Sequence, residues 1–391
     1  MITSAAFWLI LLGTVTIYWL LPKGRIPFLG AVSFAYLATL DPWSIFGLSV
    51  WTALFYYLAP RAAGKDRSER FILAFLVLGI LAYLAYFKYI PPLLAAFITN
   101  PFEERLLIPL GISYFSFKLI HYAVETARGR IAEHSLATFF TYVFLFPIFT
   151  AGPIERFDHF LKNRDEQVSR EALAEGGMRI VQGLIKKFVF AEAILYPLFA
   201  AKTTTVLLAD PREIAPLRAW LHLALAYAYF YLDFSSYSDI AIGAARLFGF
   251  RVTENFNFPF LAPNISNFWN RWHISLSNWC RSYVYMPVLG WSRNPYLATY
   301  ATFAAIGLWH AGNWNQLSWG LYHATGITIF QTWSRMRRKH GWRRLEGWKQ
   351  RVVGTTLTSL FVTGSYVFIV TEHDGGMGAA LRLAGKLFGF G

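Results

Sequence analysis

Residues Phe71 to Phe87 read FILAFLVLGILAYLAYF, with no acidic or basic side chain. As a helix rising ~1.5 Å per residue, the run comes close to crossing the ~30 Å hydrocarbon layer of a bilayer. Thr3–Leu21 and Val352–Val370 are likewise uncharged throughout. Within lipid every backbone N–H and C=O must be paired inside its own segment, so such runs are expected as helices. The expected fold is therefore all-α, a polytopic membrane protein. Composition agrees: 55% of the 391 residues are hydrophobic, 18% aromatic and only 15% charged. Soluble domains carry about 25% charged residues. A soluble fold and a disordered chain are excluded on this ground. A membrane β-barrel would need strict period-two alternation, which these runs lack.

Further apolar segments follow along the chain: Ile26–Leu40, Trp43–Ala59, Leu106–Ile120, Phe139–Ala151, Met178–Ala200, Leu217–Phe234, Ser238–Phe250, Tyr296–Trp309 and Asn315–Trp333. Several are too short to span alone, so tilted, re-entrant or protein-buried helices are expected among roughly 10–12 membrane helices. No repeat or soluble domain interrupts them, and residues 1–391 read as one domain. The charged stretch Glu155–Glu175 reads as a loop or an interfacial helix. Lys and Arg exceed Asp and Glu by 36 − 22, a net charge of +14. The excess sits between apolar segments: Lys23 and Arg25; Arg61, Lys65, Arg67 and Arg70; and eight basic residues from Arg335 to Arg351. Such clusters mark short cytoplasmic loops, which puts the N-terminus outside. The partner implied by this charge is the lipid bilayer, not nucleic acid. Thr3–Leu21 has no basic flank before it, and Pro-Lys-Gly-Arg follows it, so it reads as a retained span and not a cleaved leader. The single cysteine, Cys280, excludes an intrachain disulfide and a cysteine zinc cluster.

Ionisable groups inside apolar segments are expensive there and point to function. Tyr229–Asp239 carries Asp233 and Asp239 among aromatic residues. On a helix, Ser235, Ser236 and Tyr237 fall within reach of the two carboxylates, as a packing network or as a chamber wall. Residues 254–263 hold two prolines and two asparagines and should run irregularly. Asn264 or Ser266 can then cap a short helix over Phe268–Leu276. Its one face would carry Trp269, Trp272, His273 and Leu276, and another Arg271 and Ser275. His273 is open to two readings, an interfacial anchor or a chemical group. His310 ends an apolar segment inside Gly307-Leu308-Trp309-His310-Ala311-Gly312-Asn313, where small residues allow close approach. His323 would line the same cavity one helix later. No metal site is expected, because the three histidines share no i,i+4 spacing and no carboxylate partner. The chain also lacks a Gly-x-Ser-x-Gly elbow, a His-Glu-x-x-His motif, a Walker loop and a dinucleotide fingerprint. On physics alone a proton-coupled transporter and a non-catalytic scaffold stay open as alternatives to an enzyme.

These residues also carry a family resemblance. Pro109–Phe117, Gly152-Pro153-Ile154-Glu155-Arg156-Phe157, Tyr231–Asp239, Phe268–Leu276 and Gly307–Gly312 resemble, in order, motifs of the membrane-bound O-acyltransferase family. Ser236 stands where glycine is usual, and Arg281-Ser282 replaces an arginine-aspartate pair. Within the family the chain resembles the bacterial polymer-modifying branch, which includes alginate and cellulose O-acetyltransferase subunits and teichoic-acid D-alanyl transfer proteins.

The resemblance implies helices around a central funnel, in a bacterial cytoplasmic membrane. It implies His310 as the catalytic residue and His273 as its companion. It implies transfer of an acetyl or D-alanyl group from a cytoplasmic thioester to a hydroxyl reached from outside. The donor would be acetyl-CoA or the phosphopantetheine thioester of an acyl carrier protein, with no permanently bound cofactor. The acceptor would be an extracytoplasmic polysaccharide or a partner acyltransferase. Asn270 or Trp272 would then serve as donors to the oxyanion. Trp309, Asn313, His323, Asp233, Ser236 and Asp239 complete the expected substrate chamber.

Overall fold

The computed structural model describes residues 2, 4–64, 66–90, 108–165, 167–200, 216–342 and 347–390. Thr3, Lys65, Leu106, Leu107, Arg343 and Arg344, which belong to segments or clusters named above, lie outside the described residues. Among the described residues the chain is helical and without β-strands; one isolated bridge joins Arg164 and Phe250. Ten helices of 15 to 32 residues are present among them. Two, Arg67–Lys88 and Gly347–Val370, have the length and apolar composition to cross a membrane. Ala5–Leu20 and Arg25–Leu40 are shorter apolar helices.

The chain divides into two compact units. The first comprises 1–184 and 237–254. It contains α1 (Ala5–Leu20), α2 (Arg25–Leu40), α3 (Pro42–Leu58), α4 (Arg67–Lys88), α5 (Ile112–Ala127), α6 (Leu136–Phe144), α7 (Phe157–Lys162) and α8 (Arg170–Leu184). Helix starts follow the local sequence. Ser4 Oγ accepts from the Phe7 N–H, and Asp41 Oδ1 from the Ser44 N–H with Pro42 behind it. Asp66 and Glu69 form a capping box before α4. The buried Lys118 donates to the last carbonyls of α6, Tyr142 O at 3.0 Å and Val143 O at 3.2 Å. It thereby satisfies acceptors that a helix end leaves open. The 152–157 loop is held from inside: buried Glu155 accepts from His159 Nδ1 at 2.5 Å and from the Thr253 N–H at 2.7 Å.

The second unit comprises 185–236 and 255–391. Its helices include α10 (Ile265–Trp269), α11 (Ile274–Cys280), α12 (Met286–Ser292), α13 (Pro295–His310), α14 (Trp314–Lys339), α15 (Gly347–Val370) and α16 (Gly376–Leu387). The 32-residue α9 (Pro216–Leu247) lends residues to both units. Helices α13 and α14 pack closely because two glycines meet there. A Cβ on Gly307 would strike the Gln316 carbonyl, and one on Gly320 the Phe303 carbonyl.

Three sequence expectations are corrected. Leu217–Phe234 and Ser238–Phe250 are not separate segments; α9 runs through the first and into the second as far as Leu247, with no proline after its first residue. Met178–Ala200 is not uniform: α8 gives way to wide π turns over Ile185–Leu195. Phe268–Leu276 is not one helix. It is split between α10 and α11, because His273 adopts φ +44°, a left-handed conformation that a right-handed helix cannot pass through. Its Trp269, Trp272, His273 and Leu276 therefore do not form one helical face. Asn264 is the cap of α10, its Oδ1 2.8 Å from the Asn267 N–H.

Candidate active site

His273 is the most tightly specified side chain of the second unit. It is 2% exposed and sits at the α10–α11 break. Its Nδ1 lies 3.0 Å from Asn255 Oδ1, which also accepts from Ser275 Oγ at 2.9 Å. The Ile274 N–H donates to the Asn255 carbonyl at 2.9 Å. One buried asparagine from the irregular 254–263 segment thus fixes both the backbone bend and the ring. Because Oδ1 accepts, Nδ1 carries the proton and Nε2 presents its lone pair. Among the described residues Nε2 is buried and has no hydrogen-bond partner. The ring packs edge-on against Phe234 at 4.8 Å and Trp309 at 6.1 Å between centroids.

His310 is the last residue of α13 and is exposed. Its ring contacts Trp309 at 4.8 Å and Trp319 at 5.4 Å. Trp309 stands against both imidazoles, with centroids 6.1 Å from His273 and 4.8 Å from His310. The turn after His310 is pinned by a residue that sequence reading missed. Glu372, beyond α15, accepts from Asn313 Nδ2 at 2.7 Å and from Gln316 Nε2 at 2.6 Å. Asn313 Oδ1 meanwhile caps α14 through the Gln316 N–H at 2.9 Å. Both polar ends of Asn313 are thus engaged in holding the turn. Asn315 Nδ2 donates to the Phe368 carbonyl and to Thr371 Oγ1, each at 3.0 Å.

The remaining expected residues separate into distinct settings. His323 is 1% exposed, bonded to Ser365 Oγ at 3.1 Å and ringed by Trp269, Trp319 and Phe361. Trp272 stacks on Phe268 at 5.6 Å, and Trp309 is 9% exposed. Asn270 lines a cavity of about 350 Å³ with Trp269, Asn278, Arg281 and Thr302. Trp269 lines the same cavity, and its Nε1 is buried without a hydrogen-bond partner among the described residues.

The expected serine network around the two aspartates is corrected. Asp233 pairs with Lys187 at 2.5 Å, while Ser236 Oγ donates to the Asp233 main-chain carbonyl at 2.6 Å. Ser235 Oγ likewise turns to the Leu232 carbonyl. Asp239 belongs to the first unit and pairs with Arg179 at 2.6 Å. Arg179 also reaches Glu254 at 2.5 Å. In an apolar setting a guanidinium or ammonium offsets a carboxylate far better than a hydroxyl does, so the distant cations prevail over near serines.

Residues 98–367 match the family model described as "MBOAT, membrane-bound O-acyltransferase family". The chain belongs to the membrane-bound O-acyltransferase family. It is accordingly an all-α, polytopic integral membrane protein, and both His273 and His310 fall inside the matched region. It is 36% identical over 296 residues to the "Probable alginate O-acetylase AlgI" of Azotobacter vinelandii, covering 71% of this chain and 58% of that protein. It is 29% identical over 284 residues to the teichoic acid D-alanyltransferase of Bacillus subtilis, covering 68% and 69%. It is 28% identical over 368 residues to the peptidoglycan O-acetyltransferase of Helicobacter pylori, covering 83% and 67%. The chain thus spans little more than half the length of the Azotobacter relative.

Proposed function

We propose that this protein is a membrane O-acyltransferase that modifies a cell-envelope polymer. It transfers an acetyl or D-alanyl group from a cytoplasmic thioester to a hydroxyl on the opposite side, directly or through an extracytoplasmic partner. The observation that carries this reading is the pairing of a buried, tautomer-fixed His273 with an accessible His310 in one unit of a family member. Family membership, and relatives named as acetyl- and D-alanyltransferases, support the reaction class. The bacterial cytoplasmic membrane, with the N-terminus outside, is the location this reading requires.

An alcohol attacks a thioester slowly until its proton is removed. In this mechanism His310 takes that proton as the oxygen bonds to the acyl carbon. The carbon–sulfur bond then breaks, and the thiolate leaves with the proton that His310 returns. Positioned acid–base help of this kind is worth about 10²–10⁴-fold. With Nδ1–H committed to Asn255, neutral His273 can accept from a substrate N–H or O–H but cannot donate to an oxyanion. Its role is therefore orientation. The oxyanion would be met by an N–H of Asn270 or Trp272, a setting in which a preorganised donor counts for about 3 kcal/mol. The donor is acetyl-CoA or an acyl carrier protein thioester.

The test is to delete the protein and weigh the envelope polymers by mass spectrometry. Loss of an acyl group, restored by the intact gene, is expected, and the missing mass identifies the group. Unchanged acylation, with solute or proton flux in reconstituted vesicles lacking any thioester, would replace the enzyme with a transporter.

A further inference from the structure

A second cavity, about 500 Å³, lies between α14 and α15, with Pro263–Ile265 at its side. Its walls are not a closed core. Ile329 and Leu357 are each 63% exposed, Trp333 51% and Val353 43%. On α14 the pair 329/333 and on α15 the pair 353/357 repeat at four residues, so each helix presents an apolar stripe to the same groove. Glycines let the walls converge: Gly326 abuts the Phe361 ring, and a Cβ on Gly354 would strike the Pro263 carbonyl.

One end of this groove is polar. Arg337, Ser334 and Gln350 line it there. Arg337 is half-buried and has no carboxylate partner among the described residues. Arg335, Arg338 and Lys339 stand around it on α14, and Lys349 and Arg351 begin α15. The result is an apolar slot, fit for a hydrocarbon chain, under a cationic mouth where the Arg337 guanidinium has no carboxylate partner among the described residues. In an integral membrane protein the complementary molecule is at hand. Arg is suited to phosphate, offering a planar fork of N–H donors.

We propose that the α14–α15 groove binds one anionic glycerophospholipid, its phosphate on Arg337 and an acyl chain along Ile329, Trp333, Val353 and Leu357. This is separate from the transfer reaction and does not depend on it. The site is expected to discriminate by headgroup charge and to hold its lipid through the apolar walls.

The experiment is native mass spectrometry of the full chain in neutral detergent, titrated with phosphatidylglycerol or with diacylglycerol of equal chain length, which lacks the phosphate. The parent should hold one phosphatidylglycerol about tenfold more tightly than diacylglycerol, the factor expected from one charge-assisted contact. R337Q should lose that preference and keep diacylglycerol binding. L357W, at an exposed position where the fold is not challenged, should weaken both lipids. Inorganic phosphate alone should not displace the bound lipid. Equal binding of the two lipids by the parent, an unchanged preference in R337Q, or displacement by free phosphate would each overturn the assignment.

Discussion

At the scale of single residues, the site is organised by side chains that do not touch the reacting atoms. Asn255 sets the tautomer and the backbone bend of His273 with one oxygen and one carbonyl. Glu372 does the corresponding work beyond His310, holding Asn313 and Gln316 at 2.7 and 2.6 Å. Charged hydrogen bonds of this kind are roughly twice as strong as neutral ones. A misplacement of about 1 Å in a reacting group can cost ~10²-fold in rate. Glu372→Ala is therefore expected to lower turnover about ten- to hundredfold with little change in apparent donor affinity. Glu372→Gln should recover part of the loss, since one amide oxygen still accepts. Steady-state rates with a thioester donor check this; a raised KM at unchanged kcat would show that Glu372 does not position His310. Neither Asn255 nor Glu372 was legible as a partner in the sequence, because each acts across separations of 18 to 59 residues. The histidines were legible, as rare ionisable groups next to apolar runs. The serine–aspartate network was misread for the opposite reason: local spacing favoured Ser235 and Ser236, while Lys187 and Arg179 arrive from another helix.

At the scale of elements, the apolar runs marked the long helices well. Phe71–Phe87 lies within α4 and Val352–Val370 within α15. The errors fall where backbone conformation is decided by tertiary partners. Nothing in Phe268–Leu276 forbids a continuous helix, yet Asn255 draws His273 to φ +44° and ends it. The α13–α14 crossing shows the reverse case, where sequence does speak: Gly307, beside the motif histidine, is small because the Gln316 carbonyl lies against it. Gly307→Ala should destabilise the protein by about 1–3 kcal/mol through forced separation of the two helices. Gly290→Ala, which has nothing within 4 Å of the added carbon, should change stability by about 0.5 kcal/mol or less. Thermal unfolding in detergent distinguishes them; equal midpoints for the two variants would mean that the crossing tolerates a methyl group.

At the scale of the whole molecule, low charge content is what makes the few internal ions informative. The first unit holds Arg179 with Asp239 and Glu254, and Arg246 with Asp165 and Glu175, as paired ions. The second unit holds Lys187 paired with Asp233 and Glu192, and beside these His273, whose Nε2 is left open, and the exposed His310. In the proposed mechanism His310 is the base and His273 orients the substrate. The most direct test measures acyl transfer to the envelope polymer by His310→Ala and His273→Ala at matched membrane levels. His310→Ala is expected to lose at least ~10²-fold in rate and His273→Ala less. Full acylation by His310→Ala, or a larger loss for His273→Ala, would overturn the proposed roles.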